Sequence, residues 1–173
     1  MATTNTLLTL LPQDASPESG GNPIGGPANT PVPVGLASGL GYNKSTDSGA
    51  VWVQRLPATA ALATGATFVL MVADDVNNPG AGLVARFAVT VKKLATGTDV
   101  VTVAGAGTET TVDLTLPATP GIVLTGTVAI VVANMDGAAA SDWVLIRVRR
   151  IGTAAQDTHR GRVVLLGVDV RDI

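Results

Sequence analysis

Leu83-Val84-Ala85-Arg86-Phe87-Ala88-Val89-Thr90-Val91-Lys92-Lys93-Leu94 is the stretch that decides the fold. Leu83, Ala85, Phe87, Val89 and Val91 share one face of an extended chain, and Arg86, Thr90 and Lys92 share the other. That period of two marks a strand with one buried face. Residues 111–116 alternate in the same way, with Val112, Leu114 and Leu116 inward and Asp113 and Thr115 outward.

Working outward, residues 50–56, 67–73, 100–103, 127–133, 143–150 and 163–170 read as further short strands. Pro57, the segment Asp74-Asp75-Val76-Asn77-Asn78-Pro79-Gly80 and the pair Gly105/Gly107 supply the turns between them. Residues 134–142 (Asn-Met-Asp-Gly-Ala-Ala-Ala-Ser-Asp) suit one helical turn, and nothing longer in this region holds a 3.6-residue period. About eight short strands with turns between them predict an all-β, antiparallel sandwich or barrel.

Composition agrees. Apolar residues make up 46% of the 173-residue chain, enough for a core, while aromatics are only 3%. Val and Thr are abundant, and their branched side chains suit a pleated surface. Residues 1–49 differ in kind. Prolines 12, 17, 23, 27, 31 and 33, with Gly20-Gly21 and Gly25-Gly26, exclude a regular helix or central strand over most of that stretch. The expectation is an extended, irregular N-terminal arm over 1–49 and a β-sandwich over 50–173. The arm's apolar beads Leu7, Leu8, Leu10, Leu11, Ile24, Val32, Val34 and Leu36 are the candidate partner-binding residues.

Several chemistries are excluded. There is no cysteine and one histidine, His159, so thiol chemistry and multi-histidine metal sites are absent. No cofactor is expected. Eleven basic against thirteen acidic residues give no basic excess for nucleic acid. No stretch reads as a signal peptide or a bilayer span, so no membrane partner is expected.

His159 lies in a turn with no G-x-S-x-G elbow in the sequence, and reads as an exposed loop residue. Asp74 and Asp75, with Asn77 and Asn78, offer calcium-type oxygens, but the spacing matches no EF-hand and suits an ordinary turn. Gly105-Ala106-Gly107 lacks the following helix of a phosphate cradle. The protein is therefore read as non-enzymatic.

The densest charge is Arg147-Val148-Arg149-Arg150. Alternation sets Arg150 on the face of Val144, Ile146 and Val148, where an unpaired charge is costly. Asp157 in the following loop is a natural bidentate acceptor, so a structural salt bridge between Arg150 and Asp157 is expected. A patch for an acidic partner is the other reading of these arginines.

The runs Trp143-Val144-Leu145-Ile146-Arg147-Val148-Arg149-Arg150, Asp157, and Val164-Leu165-Leu166-Gly167-Val168-Asp169-Val170 resemble a jelly-roll domain of tailed-bacteriophage virion proteins. Trp52-Val53-Gln54-Arg55-Leu56-Pro57 and the Asp136-Gly137 turn fit the same pattern. The resemblance implies a jelly roll, a homotrimer and a place on the outer surface of a phage head, after synthesis in the host cytoplasm. It further implies a capsid decoration protein that binds and stabilises the shell of major capsid protein, with other virion proteins as further partners. Head-fibre, tail-fibre and baseplate components share such domains. A carbohydrate-binding module is a second alternative, although sugar sites usually present exposed aromatics, and here only Trp52, Trp143, Tyr42, Phe68 and Phe87 are available.

Overall fold

The computed structural model describes residues 5–17, 31–34, 37–44, 47–75, 82–96 and 108–173, and only the backbone of 31–34, 37 and 38. In chain order its strands are β1 (Thr6–Leu10), β2 (Ser16–Pro17), β3 (Pro31–Val34), β4 (Ala37–Tyr42), β5 (Ser48–Arg55) and β6 (Gly65–Asp74). They continue as β7 (Val84–Leu94), β8 (Thr110–Thr115), β9 (Val123–Val131), β10 (Trp143–Arg150) and β11 (Val163–Asp172). Short 3-10 turns cover Pro12–Asp14 and Val132–Met135.

All described pairings are antiparallel, in two sheets. One runs β3-β4-β11-β6-β9, with β1 beside β11; the other runs β2-β5-β10-β7-β8. The alternation of β7 becomes burial: Ala85, Phe87, Val89 and Val91 meet the core, as do Val144, Ile146 and Val148 of β10. Opposite them stand Phe68, Leu70 and Val72 of β6 and Val163, Leu165, Val168 and Val170 of β11. The break in β11's alternation is an irregularity between Leu165 and Gly167, where one extra residue resets which side chains face inward. Tyr42 and Phe87 meet edge to face with centroids 5.7 Å apart, joining the two sheets.

The expectation of an arm distinct from the sandwich is corrected wherever residues 1–49 are described. β1 pairs with one half of β11 and β4 with the other, while β2 pairs with β5. Leu10, Leu40 and Tyr42 lie in the core, so Leu10 is unavailable to any partner. Leu7 and Leu8 pack against that core, and Leu11 alone of the four is exposed. The physical reason is backbone pairing: β11 has a free edge that short proline-flanked strands can cover without a periodic pattern of their own.

Val32 and Val34 sit on β3, while Ile24 and Leu36 lie outside the described residues. The expected strand at 100–103, the Gly105-Ala106-Gly107 turn, and Asn77 and Asn78 also fall outside them.

Candidate functional site

Two connections, 56–64 and 132–142, meet at the end of the sandwich where β5, β7 and β10 have Arg55, Leu94 and Trp143. They are tied together by backbone bonds: Leu56 N–H donates to Asp142 O at 2.9 Å, and Ser141 N–H donates to Pro57 O at 3.4 Å. Asp136, Gly137 and Ser141 all adopt left-handed backbone, with φ of 57°, 65° and 67°. Glycine and, less readily, aspartate tolerate that region, which lets the chain reverse tightly after Met135. Two clefts result. One, of about 280 Å³, is lined by alanine methyls and Leu62. The other, of about 260 Å³, is polar and lies between Lys92, Asn134 and Asp136.

The aromatic residues divide sharply. Trp52, Tyr42, Phe68 and Phe87 are at most 1% exposed, whereas Trp143 is 53% exposed. Trp143 opens β10 and stands directly across from Arg55 on one side and Leu94 on the other. Directly opposed residues share a sheet face, so these three side chains lie on the face turned away from the main core. Val53, two residues before Arg55, is also exposed on that face. Beside them Lys93 pairs with Asp142 at 2.8 Å and Lys92 with Asp136 at 2.9 Å. The Lys93 hydrogen bond first, then the Ala139 amide, hold the Asp142 carboxyl below the ordinary carboxylate range. An exposed indole, a guanidinium and an apolar rim make a surface for stacking and hydrogen bonding.

The structure brings Arg150 and Asp157 together at the opposite end. Both are fully enclosed, and Arg150 donates from Nε and Nη2 to the two carboxylate oxygens of Asp157, each at 2.8 Å. Lys44 reaches the Asp157 backbone carbonyl and lies 3.5 Å from its carboxylate.

His159, expected in solvent, is fully buried instead. Its ring nitrogens lie 3.0 Å from Asp74 Oδ1 and 3.2 Å from Gly161 O. The loop is drawn inward because Arg150 collects its carbonyls and Asp74 receives its imidazole. Asp75 meets Arg162 at 2.6 Å. Asp74 and Asp75 are thus engaged by side chains of the 156–162 loop, and among the described residues no three His, Cys, Asp or Glu groups gather. Arg147 and Arg149 both bond Glu109 on the outer sheet face.

No family model matches this sequence, and no curated protein matches it. Among solved structures, the CBM35 carbohydrate-binding module of Abf62 from Cellvibrio japonicus aligns with a TM-score of 0.51 and 12% identity, over 97% of this chain and 92% of that one. The fold is a jelly roll. An exo-β-1,3-galactanase from Phanerochaete chrysosporium, solved with galactose, aligns at TM-score 0.43 and 12% identity over 97% of this chain and 29% of its own. TmCBM61, solved in complex with β-1,4-galactotriose, aligns at TM-score 0.33 and 12% identity, over 78% of this chain and 68% of that one. At such identities the likeness concerns architecture alone.

Sequence reasoning grouped Trp143 with the aromatics of strand patterns and missed its exposure. The available signal was the alternation that sets Arg150, Val148, Ile146 and Val144 inward and therefore Trp143 outward.

Proposed function

We propose that this protein is a non-catalytic jelly-roll binding module that presents Trp143 to a carbohydrate. The observation that carries the reading is the single exposed aromatic among five, set on a sheet face beside Arg55. A tryptophan offers a large rigid apolar plane for the C–H face of a sugar ring, and a half-exposed one keeps that plane open to a ligand. The architecture shared with a carbohydrate-binding module supports it. The enclosure of His159, bonded at both ring nitrogens, supports a non-catalytic role. The test is affinity electrophoresis of wild type and Trp143→Ala through gels containing soluble polysaccharides. Retardation of the wild type that the variant loses supports the reading; no retardation by any polysaccharide overturns it.

A second reading is a virion structural protein, most simply a trimeric decoration protein on a phage head that binds the major capsid protein, with fibre or baseplate roles as variants. Besides the sequence resemblance, one observation favours it. Among the described strands β9 ends its sheet; it carries no charge and exposes Val123, Thr125, Thr127, Ala129 and Val131. An uncharged edge of that length is suited to packing against another subunit. Light scattering of the purified chain tests it, a trimer mass supporting and a monomer opposing.

A further inference from the structure

We propose that β9 is the contact between two copies of this chain, which pair antiparallel about a two-fold axis at Thr127 and join their sheets into one. The inference is independent of the carbohydrate reading, because Trp143 lies in the other sheet.

An exposed sheet edge is open to further pairing, and chains guard it with brevity, proline or charge. Among the five described strands that end a sheet path, four carry such a guard. β1 has five residues and β2 two, β3 contains Pro31 and Pro33, and β8 has six residues with Asp113 held by Arg86 at 2.6 Å. β9 has nine residues, no proline and no charge, and its other side pairs with β6 in unbroken register. Its one glycine, Gly126, serves the interior, since a Cβ there would collide with Leu114 of β8.

The outward side chains make this edge apolar. Val123, Thr125, Thr127, Ala129 and Val131 are all exposed, and Met71 and Val69 of β6 stand beside Thr125 and Thr127. Met71, Ile122, Val123 and Val131 are four of the eight large apolar side chains exposed among the described residues. The next strand over, β11, carries Asp169 and Arg171, which bond each other at 3.2 Å and ask nothing of a partner.

The order of the five outward residues selects the occupant. Around Thr127 the series reads alike in both directions: valine, threonine or alanine, threonine, alanine or threonine, valine. Antiparallel pairing on an axis at Thr127 sets Val123 opposite Val131 of the second copy, Thr125 opposite Ala129, and Thr127 opposite itself. The inward set matches as well, Leu124 with Ile130 and Gly126 with Val128. A two-fold contact demands such self-matching, and uncharged β-branched pairs directly opposed are favourable. Nine residues paired in this way form about eight to ten backbone hydrogen bonds, close to the number a standard interface carries. The contact closes at two copies, so it is a different assembly from the trimer of the virion reading.

The experiment is sedimentation velocity of the full chain from roughly 1 μM to 1 mM, with hydrogen exchange of the β9 amides at both ends of that range. The expected result is a dimer that dissociates on dilution, its β9 amides exchanging faster as it does. Thr127→Lys and Thr127→Glu each set like charges face to face on the axis and should weaken the dimer at least about tenfold. Mixing the two variants should restore dimers, since opposite charges then meet across the axis. Thr115→Lys, the same change on the outer face of β8, should leave the dimer intact. Each variant is checked for an unchanged melting temperature; should one be unstable, the wild-type exchange rates decide, and rates independent of concentration overturn the contact. A monomer at every concentration overturns the proposal and leaves the carbohydrate reading intact. A trimer mass overturns the two-fold pairing and supports the virion reading. A dimer indifferent to Thr127→Lys overturns β9 as its interface, and a dimer not restored in the mixture overturns the register at Thr127.

Discussion

Arg150 uses every donor it has on a site built around Asp157. Nε and Nη2 meet the two carboxylate oxygens, Nη1 meets the carbonyls of Tyr42 and Gly161, and Nη2 also meets the carbonyl of His159. Five N–H groups in a fixed fork thus find five acceptors on β4, on the 156–162 loop and on Asp157 itself. A buried charge in that state is satisfied, and removing it strands Asp157 in the interior. Arg150→Ala is expected to cost about 3–5 kcal/mol in urea unfolding. Arg150→Lys recovers little, since a single ammonium cannot span five acceptors. In a double-mutant cycle with Asp157→Ala, the combined loss should be smaller than the sum of the single losses. Additive losses would refute direct coupling.

The same pair sets an acid limit. Burial alone would raise the Asp157 carboxyl, but hydrogen bonds from Arg150 and the Arg86 amide, with the charges of Arg150 and Lys44, outweigh it and hold the group below its ordinary value. A carboxyl whose folded value is depressed contributes stability that is fully present above its unfolded value, about 3.9, and is lost as pH falls through the folded value. Unfolding free energies measured from roughly pH 7 down to pH 3 should therefore decline for the wild type. Asp157→Asn should be less stable at neutral pH and decline less steeply. Parallel curves for the two proteins would mean that Asp157 does not titrate differently on unfolding.

What was legible in the sequence was what local alternation encodes. β7 and β10 carry their inward faces in plain sight, and Arg150 on the Val144–Val148 face pointed to its acceptor seven residues on. What was not legible depends on distant chain. Leu10 pairs with Val168 and Leu40 with Leu165, partners that no local pattern names, so β1 and β4 looked like loose arm. His159 looked exposed because its partner, Asp74, lies on β6, 85 residues earlier. Non-local pairing is where the sequence pattern stops informing.

Truncation follows from that correction. Removing residues 1–49 takes away β1 and β4 and exposes one edge of β11, with the core contacts of Leu10, Leu40 and Tyr42 lost. Residues 50–173 alone are expected to show no cooperative melt by circular dichroism. A subtler version is Gly39→Ala, whose new Cβ would sit 2.3 Å from the backbone oxygen of Leu165. Backbone cannot swing aside as a side-chain end can, so this substitution should lower the melting temperature although it adds only a methyl group. A folded, fully stable fragment would restore the separate arm.

The two tryptophans give a direct optical check on the proposed site. Trp52 is buried, and its indole N–H donates to Leu11 O at 3.0 Å, whereas Trp143 projects from the sheet face. Emission should therefore contain a blue-shifted, poorly quenched component from Trp52 and a red-shifted component from Trp143 that acrylamide quenches readily. Trp143→Phe should remove the quenchable component while leaving the melting temperature nearly unchanged, because a half-exposed ring contributes little burial. Trp52→Phe should do the reverse, lowering stability by the loss of packed volume and of one hydrogen bond. A sugar that docks on Trp143 will protect it from acrylamide in proportion to occupancy. If saturating sugar leaves the quenching of the Trp52→Phe protein unchanged, the ligand binds elsewhere on the molecule.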